Sequence, residues 1–335
     1  MELSEYTHGG LMAEKVKPDP QPDLGNASVG KCLTEINVSV TIFIMILKPS
    51  LCLSMEGFFA CYYEGVKEMK DELNSLEKIK QESPLIYHIT NNVVKNDVAN
   101  VTLAIGASPI MSDYPKEAEE ITQLASALVL NTGTIHPNSA EAMLLAGKTA
   151  NKKGIPVVLD PVGVGATSYR KEIMIRILEE IEITAIKGNA GEIATLAGTA
   201  WKTKGVDAGE GEADLVESAK QLANKHNCLV GLSGEVDIVT DGKTTYQVKN
   251  GHPMMAQITG SGCMLSGVVG SFLSVSKDET LEVLLQAFIS FAVAGEKAAN
   301  HSSVRGTGSF RSTFIDELYL LTDEEIKKNR KVEEI

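Results

Sequence analysis

The chain has a deficit of positive charge, with 31 Lys and Arg against 44 Asp and Glu, and no basic stripe is visible in the sequence. Proteins that bind nucleic acid usually cluster Lys and Arg on one surface, because they must neutralise phosphates. The acidic balance therefore argues against nucleic acid as a partner.

The sequence also lacks an N-terminal apolar run that could cross a bilayer. The longest candidate, Val38 to Leu47, is interrupted by Lys48 and Pro49, whereas a spanning helix needs roughly 20 apolar residues. It follows a Pro/Asp-rich stretch instead of a basic segment, which disfavours a signal peptide. We expect no membrane anchor and no membrane partner.

Cysteine is sparse and shows no CxxC or zinc-type spacing. An odd number of unevenly spaced cysteines does not suit a disulfide framework, so we expect a reducing, cytosolic compartment. The five cysteines are Cys32, Cys52, Cys61, Cys228 and Cys263.

Two common nucleotide motifs are missing. The sequence contains no Walker-type G-x-x-x-x-G-K-[ST], and the G-x-G at Gly163 and Gly165 lacks its third glycine. P-loop proteins and Rossmann dehydrogenases are therefore poor matches.

The first 68 residues differ in composition from the rest of the 335-residue chain. We predict that residues 1–68 are an N-terminal extension, poorly ordered or unrelated to the following domain, or a translated upstream stretch without function. Apolar residues at helical spacing predict an amphipathic helix over Glu64 to Gln81 that leads into a domain at 69–325. Residues 326–335 form a charged tail, and we expect Thr322 to Ile335 to be frayed.

From Pro84 onward, short apolar runs alternate with glycine-rich turns and helical stretches. This order predicts an α/β fold with a doubly wound, mostly parallel sheet, helices on both faces and a helical C-terminal part. The predicted strands are Leu85 to Ile89, Ser108 to Met111, Ala127 to Leu130, Val157 to Leu159, Thr184 to Ile186 and Leu229 to Leu232. The predicted helices between them are Val93 to Ile105, Asn138 to Lys153, Lys171 to Ile181, Gly191 to Leu196 and Ala213 to Asn227.

Polar residues follow nearly every predicted parallel strand. Ligands of such sheets bind at the carboxyl ends of the strands, so a succession of polar strand ends indicates a site. These polar residues are Asn91, Asn131 to Thr134, Asp160, Lys187 to Asn189 and Ser233 to Glu235, while Met111 ends the second strand.

The most informative segment is Thr259-Gly260-Ser261-Gly262-Cys263, followed by an apolar helical run from Met264 to Val275. A glycine turn before a helix exposes backbone N–H groups and the positive end of the helix dipole, which stabilise a phosphoryl group. The dipole is also expected to favour the thiolate of Cys263. The same pattern also occurs where glycine only allows close helix packing, and free cysteines are usually inert.

These motifs closely resemble the hydroxyethylthiazole kinase family of the ribokinase-like superfamily. The resemblance runs in one register from about Pro84 to Leu321. It is carried by Ile89-Thr90-Asn91, Gly106 to Met111, Leu159 to Thr167, Lys187 to Glu192, Gly234 to Asp237, Asn250-Gly251-His252, Thr259 to Cys263 and Gly306 to Phe310. Tyr87-His88 departs from the family pattern, which affects the expected shape of the pocket wall.

The resemblance implies phosphorylation of the hydroxyl of 4-methyl-5-(2-hydroxyethyl)thiazole in thiamine salvage, with ATP and Mg²⁺ as cofactors. It also implies a homotrimer with substrate sites at subunit interfaces. The alternatives are a kinase of another small alcohol, such as hydroxymethylpyrimidine, and a non-catalytic nucleotide-binding protein with the same fold.

The resemblance also assigns roles to residues. Cys263 corresponds to the catalytic Asp of related sugar kinases, beside an anion hole of Gly260, Ser261 and Gly262. The remaining assignments are Lys187, Ser233, Asp160 and Asn189 for the nucleotide, Met111, Gly260 and Asn91 for the substrate, and Glu192 with Asn189 for Mg²⁺ through water.

Simpler structural roles compete with three of these assignments. Asp160 before Pro161 is also typical of a turn. Asn189 and Glu192 have the spacing of a helix capping box, and a methionine such as Met111 is more often part of a core. Cys263 serves as a base only if its site lowers the thiol pKa from about 8.5; otherwise it orients the attacking hydroxyl.

Overall fold

The structure, a computed structural model, describes residues 74–199, 202–204, 207–210, 214–276 and 281–335. The predicted extension, residues 1–68, and the first part of the predicted helix from Glu64 lie outside the described residues. The remainder of that helix is α1 (Ser75–Glu82), which buries Leu76 and Ile79 as the amphipathic pattern predicts.

The described strands form a nine-stranded sheet and a separate two-stranded ribbon. The strands are β1 (Leu85–Ile89), β2 (Ser108–Met111), β3 (Ala127–Asn131), β4 (Val157–Asp160), β5 (Ala185–Asn189), β6 (Lys202–Lys204), β7 (Asp207–Glu210), β8 (Leu229–Ser233), β9 (Asp237–Thr240), β10 (Thr245–Val248) and β11 (Val332–Glu334). The sheet order is β11-β10-β9-β8-β5-β4-β3-β1-β2, and β6 pairs with β7. Strands β2, β1, β3, β4, β5 and β8 run parallel, while β9, β10 and β11 add antiparallel pairs. The predicted doubly wound, mostly parallel sheet is confirmed.

Helices cover both faces of this sheet. The further helices are α2 (Lys95–Ala104), α3 (Pro115–Leu124), α4 (Pro137–Lys153), α5 (Ser168–Glu180), α6 (Ala190–Ala197), α7 (Leu215–His226), α8 (Ser261–Ser274), α9 (Leu281–Asn300), α10 (Thr307–Leu320) and α11 (Asp323–Asn329). Among the described residues, no helix is long and apolar enough to cross a membrane.

Side chains of the central strands alternate between two apolar cores, because successive residues of a strand point to opposite faces. Ile86, Val129 and Val158 join a core with α1, α2 and α8–α11, which we name the α8 face. Leu128 and Ile186 join a core with α3–α7, which we name the α4 face. The sheet is buried on both sides, as its continuous apolar strands predict.

One helix was not predicted, and one prediction about local structure was wrong. Helix α3 was missed, although it begins with Pro115 in the first turn, a favoured position for proline. The predicted charged tail at 326–335 is not frayed. Thr322 caps α11 through a capping box with Glu325, and β11 pairs with β10, which places Val332 opposite Val248.

The tail is ordered because its backbone finds partners in the domain. The Lys331 N–H donates to Asn250 Oδ1 at 2.7 Å, and Asn250 Nδ2 donates to the Asn329 carbonyl at 2.9 Å. Ile326 is buried in the core of the α8 face. Charge alone indicated fraying, whereas the hydrogen bonds of the sheet edge fix the segment.

Candidate active site

Strand register brings three polar side chains together on the α8 face. Asn131 and Asp160 end neighbouring strands and lie opposite each other in the β3–β4 pair. Lys187 lies on β5, two residues after Ala185, which belongs to the core of the α8 face. Because strand side chains repeat with a period of two, all three point towards the same face as α8. The polar side chains at these strand ends therefore lie close together in space, as the sequence pattern indicated.

Asp160 is the centre of this buried polar cluster. Its side chain is fully buried, and Oδ2 accepts hydrogen bonds from Asn131 Nδ2 and Ser266 Oγ, each at 2.7 Å. Its Oδ1 lies 3.3 Å from Lys187 Nζ. Asp160 is thus more than the turn residue that Asp-Pro alone would indicate.

Lys187 is a buried cation, with 3% of its side chain exposed. Burial opposes its charge, but the carboxylates of Asp160 and Glu192 outweigh this effect and raise the Lys187 pKa above its usual value. The ammonium therefore stays charged at neutral pH. A buried charge that is paired on one side only can still attract an anion on the other.

Helix α8 begins directly beside this cation. Gly260 is the N-cap residue with φ of 80°, a left-handed conformation that favours glycine. A Cβ at Gly260 would lie 2.2 Å from Val94 Cγ1, so a side chain does not fit there. Among the described residues no side chain caps this helix end. Lys187 Nζ lies 3.3 Å from the position of a Cβ built on Gly262.

Cys263 occupies the third position of α8 and contacts the same cluster. Asn91 Nδ2 donates to its Sγ at 3.3 Å and to Asn131 Oδ1 at 3.0 Å. Burial and, to a lesser extent, Asp160 raise the Cys263 pKa to about 11. The expectation of a favoured thiolate was wrong, because burial and the nearby carboxylate of Asp160 raise the Cys263 pKa. At neutral pH the side chain is a protonated thiol.

Asn189 and Glu192 form the capping box that was the structural alternative for this pair. Asn189 Oδ1 accepts from the Glu192 N–H at 3.0 Å, and Glu192 Oε2 accepts from the Asn189 N–H at 2.8 Å. Glu192 Oε1 also accepts from the Gly163 N–H at 3.1 Å. Burial, followed by repulsion from Asp160, raises the Glu192 pKa.

This donor set fits Mg²⁺ held through water. Two buried carboxylates that repel each other favour a nearby cation, and oxygen is the ligand that Mg²⁺ prefers. Both Glu192 oxygens already accept a backbone N–H, so an intervening water suits them better than direct coordination. Across the described part of the chain, no group of three or more His, Cys, Asp or Glu residues is placed to hold a metal.

Ser233 and Met111 lie at the same edge of the sheet but outside the cluster. Ser233 ends β8, and its hydroxyl donates to the Gly188 carbonyl at 3.4 Å. Met111 ends the edge strand β2, opposite His88 of β1, and is half-buried. Their assignments to nucleotide and substrate stay predictions.

Ser266, which holds Asp160 from α8, was not among the predicted site residues. The signal was its spacing: Ser266 follows Gly262 by four residues and Cys263 by three, so all three share one side of the helix. The resulting arrangement is a helix N-terminus, a buried ammonium and a thiol close together. It offers an anion two sources of positive potential beside a neutral polar side chain.

Comparisons with known proteins found similar sequences and a similar fold. The hydroxyethylthiazole kinase family matches residues 76–324. The chain is 52% identical over 265 residues to a hydroxyethylthiazole kinase of Thermoanaerobacter sp. strain X514, which covers 79% of this chain and 100% of that protein. A solved hydroxyethylthiazole kinase from Pyrococcus horikoshii OT3 superposes with a TM-score of 0.71 at 36% identity, covering 79% of this chain and 99% of that one.

A more distant similarity concerns the fold alone. A ribokinase-like superfamily protein from Enterococcus faecalis V583 superposes with a TM-score of 0.53 at 12% identity, covering 71% of this chain and 88% of that one. The sheet described above is therefore of the ribokinase-like type.

Proposed function

Because the chain belongs to the hydroxyethylthiazole kinase family, we propose that it transfers the γ-phosphoryl group of ATP, assisted by Mg²⁺, to the hydroxyl of 4-methyl-5-(2-hydroxyethyl)thiazole. This reaction belongs to thiamine salvage. We further propose that the chain works as a cytoplasmic homotrimer, and that the kinase unit begins near Met69.

The observation that carries the proposal is the position of Lys187 Nζ beside the start of α8. Phosphoryl transfer depends mainly on alignment and on neutralising charge that develops on the phosphoryl oxygens. The N–H groups at Ser261 to Cys263 and the Lys187 ammonium supply that charge from two directions. Asp160 and Ser266 fix the ammonium and the helix relative to each other.

Cys263 orients the attacking hydroxyl and does not act as a strong base. Its pKa of about 11 keeps the proton on sulfur at neutral pH. A loose transition state needs little deprotonation of the nucleophile before transfer. The hydroxyl proton leaves late, when the oxygen already bonds to phosphorus and is more acidic, and it passes to solvent water.

The other site residues complete the binding surface in this proposal. Lys187, Ser233, Asp160 and Asn189 serve the nucleotide phosphates, and Met111, Gly260 and Asn91 serve the thiazole alcohol. Glu192, with Asn189, would hold Mg²⁺ through water, where the ion supplies charge neutralisation for the phosphates.

The test is ADP formation from ATP and Mg²⁺ with hydroxyethylthiazole, measured beside hydroxymethylpyrimidine, pyridoxal and ribose. The full chain and a version beginning at Met69 are compared, and chelation of Mg²⁺ is the control. We expect turnover with the thiazole alcohol that is lost on chelation and is equal in the two versions.

The competing functions give different results in the same assay. If another alcohol is turned over faster, the protein is still a kinase, but its substrate is that alcohol and not the thiazole. ATP binding without turnover of any alcohol would contradict the kinase and favour a binding protein. Sedimentation of the full chain at three times its 35.9 kDa mass would support the trimer, and a monomer that turns over at full rate would contradict it.

A further inference from the structure

Arg170, on α5, ties together the loops that follow β3 and β4. Its Nη1 donates to the Thr132 carbonyl and, at 2.8 Å, to the Val162 carbonyl, and its Nη2 donates to the Gly133 carbonyl at 2.6 Å. The residue is half-buried. Within the described part of the chain it forms no ion pair with a carboxylate. Its charge is therefore used on backbone carbonyls, which the planar guanidinium reaches with two nitrogen atoms at a fixed separation.

The peptide unit between Val162 and Gly163 is held from two directions. Arg170 donates to its carbonyl, and Glu192 Oε1 accepts from its N–H at 3.1 Å. A cation on the oxygen and an anion on the N–H polarise the same peptide, and each strengthens the other hydrogen bond. The position of Arg170 is thus linked to that of Glu192 by one planar group.

The loop after β3, which Arg170 also holds, is connected to Cys263 through Asn91. A Cβ at Gly133 would lie 2.8 Å from Asn91 Cβ, so this loop packs directly on Asn91. The Asn92 N–H donates to Thr134 Oγ1 at 3.0 Å. Asn91 in turn donates to Cys263 Sγ. The loop is therefore in direct contact with the amide that hydrogen-bonds the thiol.

We infer that Arg170 is a positioning residue for phosphoryl transfer, which fixes Asn91 and Glu192 through the two loops. The expected effect on kcat rests on the proposed function. The restraint of the two loops by Arg170 does not depend on any activity. Among the described residues, no hydrogen bond joins Arg170 to the first turn of α8, so we expect it to influence alignment more than nucleotide binding.

The experiment compares Arg170→Met with Arg176→Met in the full chain. Arg176 lies on the same helix, and its exposed side chain pairs only with Glu180 among the described residues, so it is a matched control. For Arg170→Met we expect kcat to fall about 10- to 100-fold, since misplacement by about 1 Å has effects of this size. The KM for ATP should change less than about threefold.

Hydrogen exchange provides a readout that does not depend on activity. Peptides that cover residues 131–136 and 160–166 should exchange about tenfold faster in Arg170→Met, because their restraint is lost. The reference is the turn at 240–245, where the N–H groups of Gly242 and Thr244 donate to side chains of Thr240 and Asp241. Exchange in this turn should not change. If Arg170→Met does not fold, Arg170→Lys, which keeps one cation, is expected to show smaller changes in the same direction.

Two results would overturn the inference. The first is kcat and loop exchange in Arg170→Met equal to those of Arg176→Met. The second is equal acceleration of the loops and of the reference turn, which indicates general destabilisation. Absence of thiazole turnover in the unmodified chain would instead contradict the proposed function, and the exchange comparison would still test the restraint by Arg170.

Discussion

The two faces of the central sheet differ in what their strands present near the carboxyl ends. On the α4 face, the strand residues Ile89, Leu130, Leu159 and Ile186 are apolar and buried throughout. On the α8 face, alternate positions of the same strands carry Asn131, Asp160 and Lys187. Adjacent residues of one strand thus serve stability on one face and chemistry on the other.

The difference between the faces follows from where a helix begins. Helix α8 starts at the carboxyl edge, so its positive N-terminal end lies over the polar strand ends. A buried carboxylate and ammonium are costly unless they are paired and hydrogen-bonded. The cluster around Asp160 meets this requirement through Lys187, Asn131 and Ser266.

The largest expected effect on turnover comes from replacing Lys187, and replacement of its neighbour Ile186 is the comparison. Lys187→Met should lower kcat by about 10²- to 10³-fold, the size expected for loss of one charge-stabilising group. It should also cost about 3–5 kcal/mol of unfolding free energy, because Asp160 stays buried without its cation. Ile186→Ala should cost about 2–5 kcal/mol through its cavity, yet leave kcat of the folded protein unchanged. Denaturant unfolding and initial rates measure both.

A double variant separates charge from stability at this site. Asp160→Asn combined with Lys187→Met removes the unpaired carboxylate, so it should recover most of the lost unfolding free energy and none of the turnover. Near-normal kcat in Lys187→Met would remove the ammonium from the mechanism. A loss of kcat in Ile186→Ala as large as that in Lys187→Met would contradict the division between faces.

The second comparison concerns one glycine from each face. Gly262→Val places methyl groups against Lys187 Nζ and into the space for the phosphoryl group, so we expect turnover to fall at least about 100-fold. The fold should persist, since valine in the first helical turn costs less than about 1 kcal/mol. Near-normal activity would exclude the α8 N-terminus from the mechanism.

Gly147→Ala on α4 is the matched change. Its Cβ would lie 2.3 Å from Ile181 Cδ1, so overpacking should cost about 1–3 kcal/mol. Turnover at a temperature where the variant is folded should equal that of the unmodified chain. A thermal unfolding curve for each variant provides that temperature.

The smallest effect concerns Cys263. Because its pKa is about 11, kcat should show no thiol ionisation between about pH 7 and 9, and Cys263→Ser should keep kcat within about tenfold. A rate–pH profile for both proteins checks this. An inflection near pH 8 that disappears in Cys263→Ser would show that the thiol is a base.

The same pKa predicts the pH dependence of stability. The folded protein keeps the Cys263 proton to about pH 11, whereas the unfolded chain loses it near about pH 8.5. Between these values the unfolded state binds fewer protons, so the free energy of unfolding falls as pH rises. Cys263→Ser should therefore lose less stability over this range than the unmodified chain.

The order of elements could be predicted because apolar periodicity reports burial. The strands at Leu85–Ile89 and Ser108–Met111 have the predicted bounds, while β5 extends to Asn189, beyond its apolar core. That extension was hidden because Lys187 is polar, and only its pairing with Asp160 makes it compatible with a buried strand. The edge strand β11 was also missed. Its pairing with β10 uses backbone hydrogen bonds, which leave no apolar pattern in the sequence.

The sequence by itself determined the alternation of strands and helices, the glycine turn at Gly260 and the polar strand ends, because each depends on residues that are close along the chain. Only the tertiary structure decided that Asp160 pairs with Lys187, that Arg170 joins two loops and that Cys263 keeps its proton. Those properties depend on burial and on distances between residues far apart in sequence. Local patterns indicate which positions are buried but not which charged groups meet, because electrostatic energy follows separation in space and the dielectric environment.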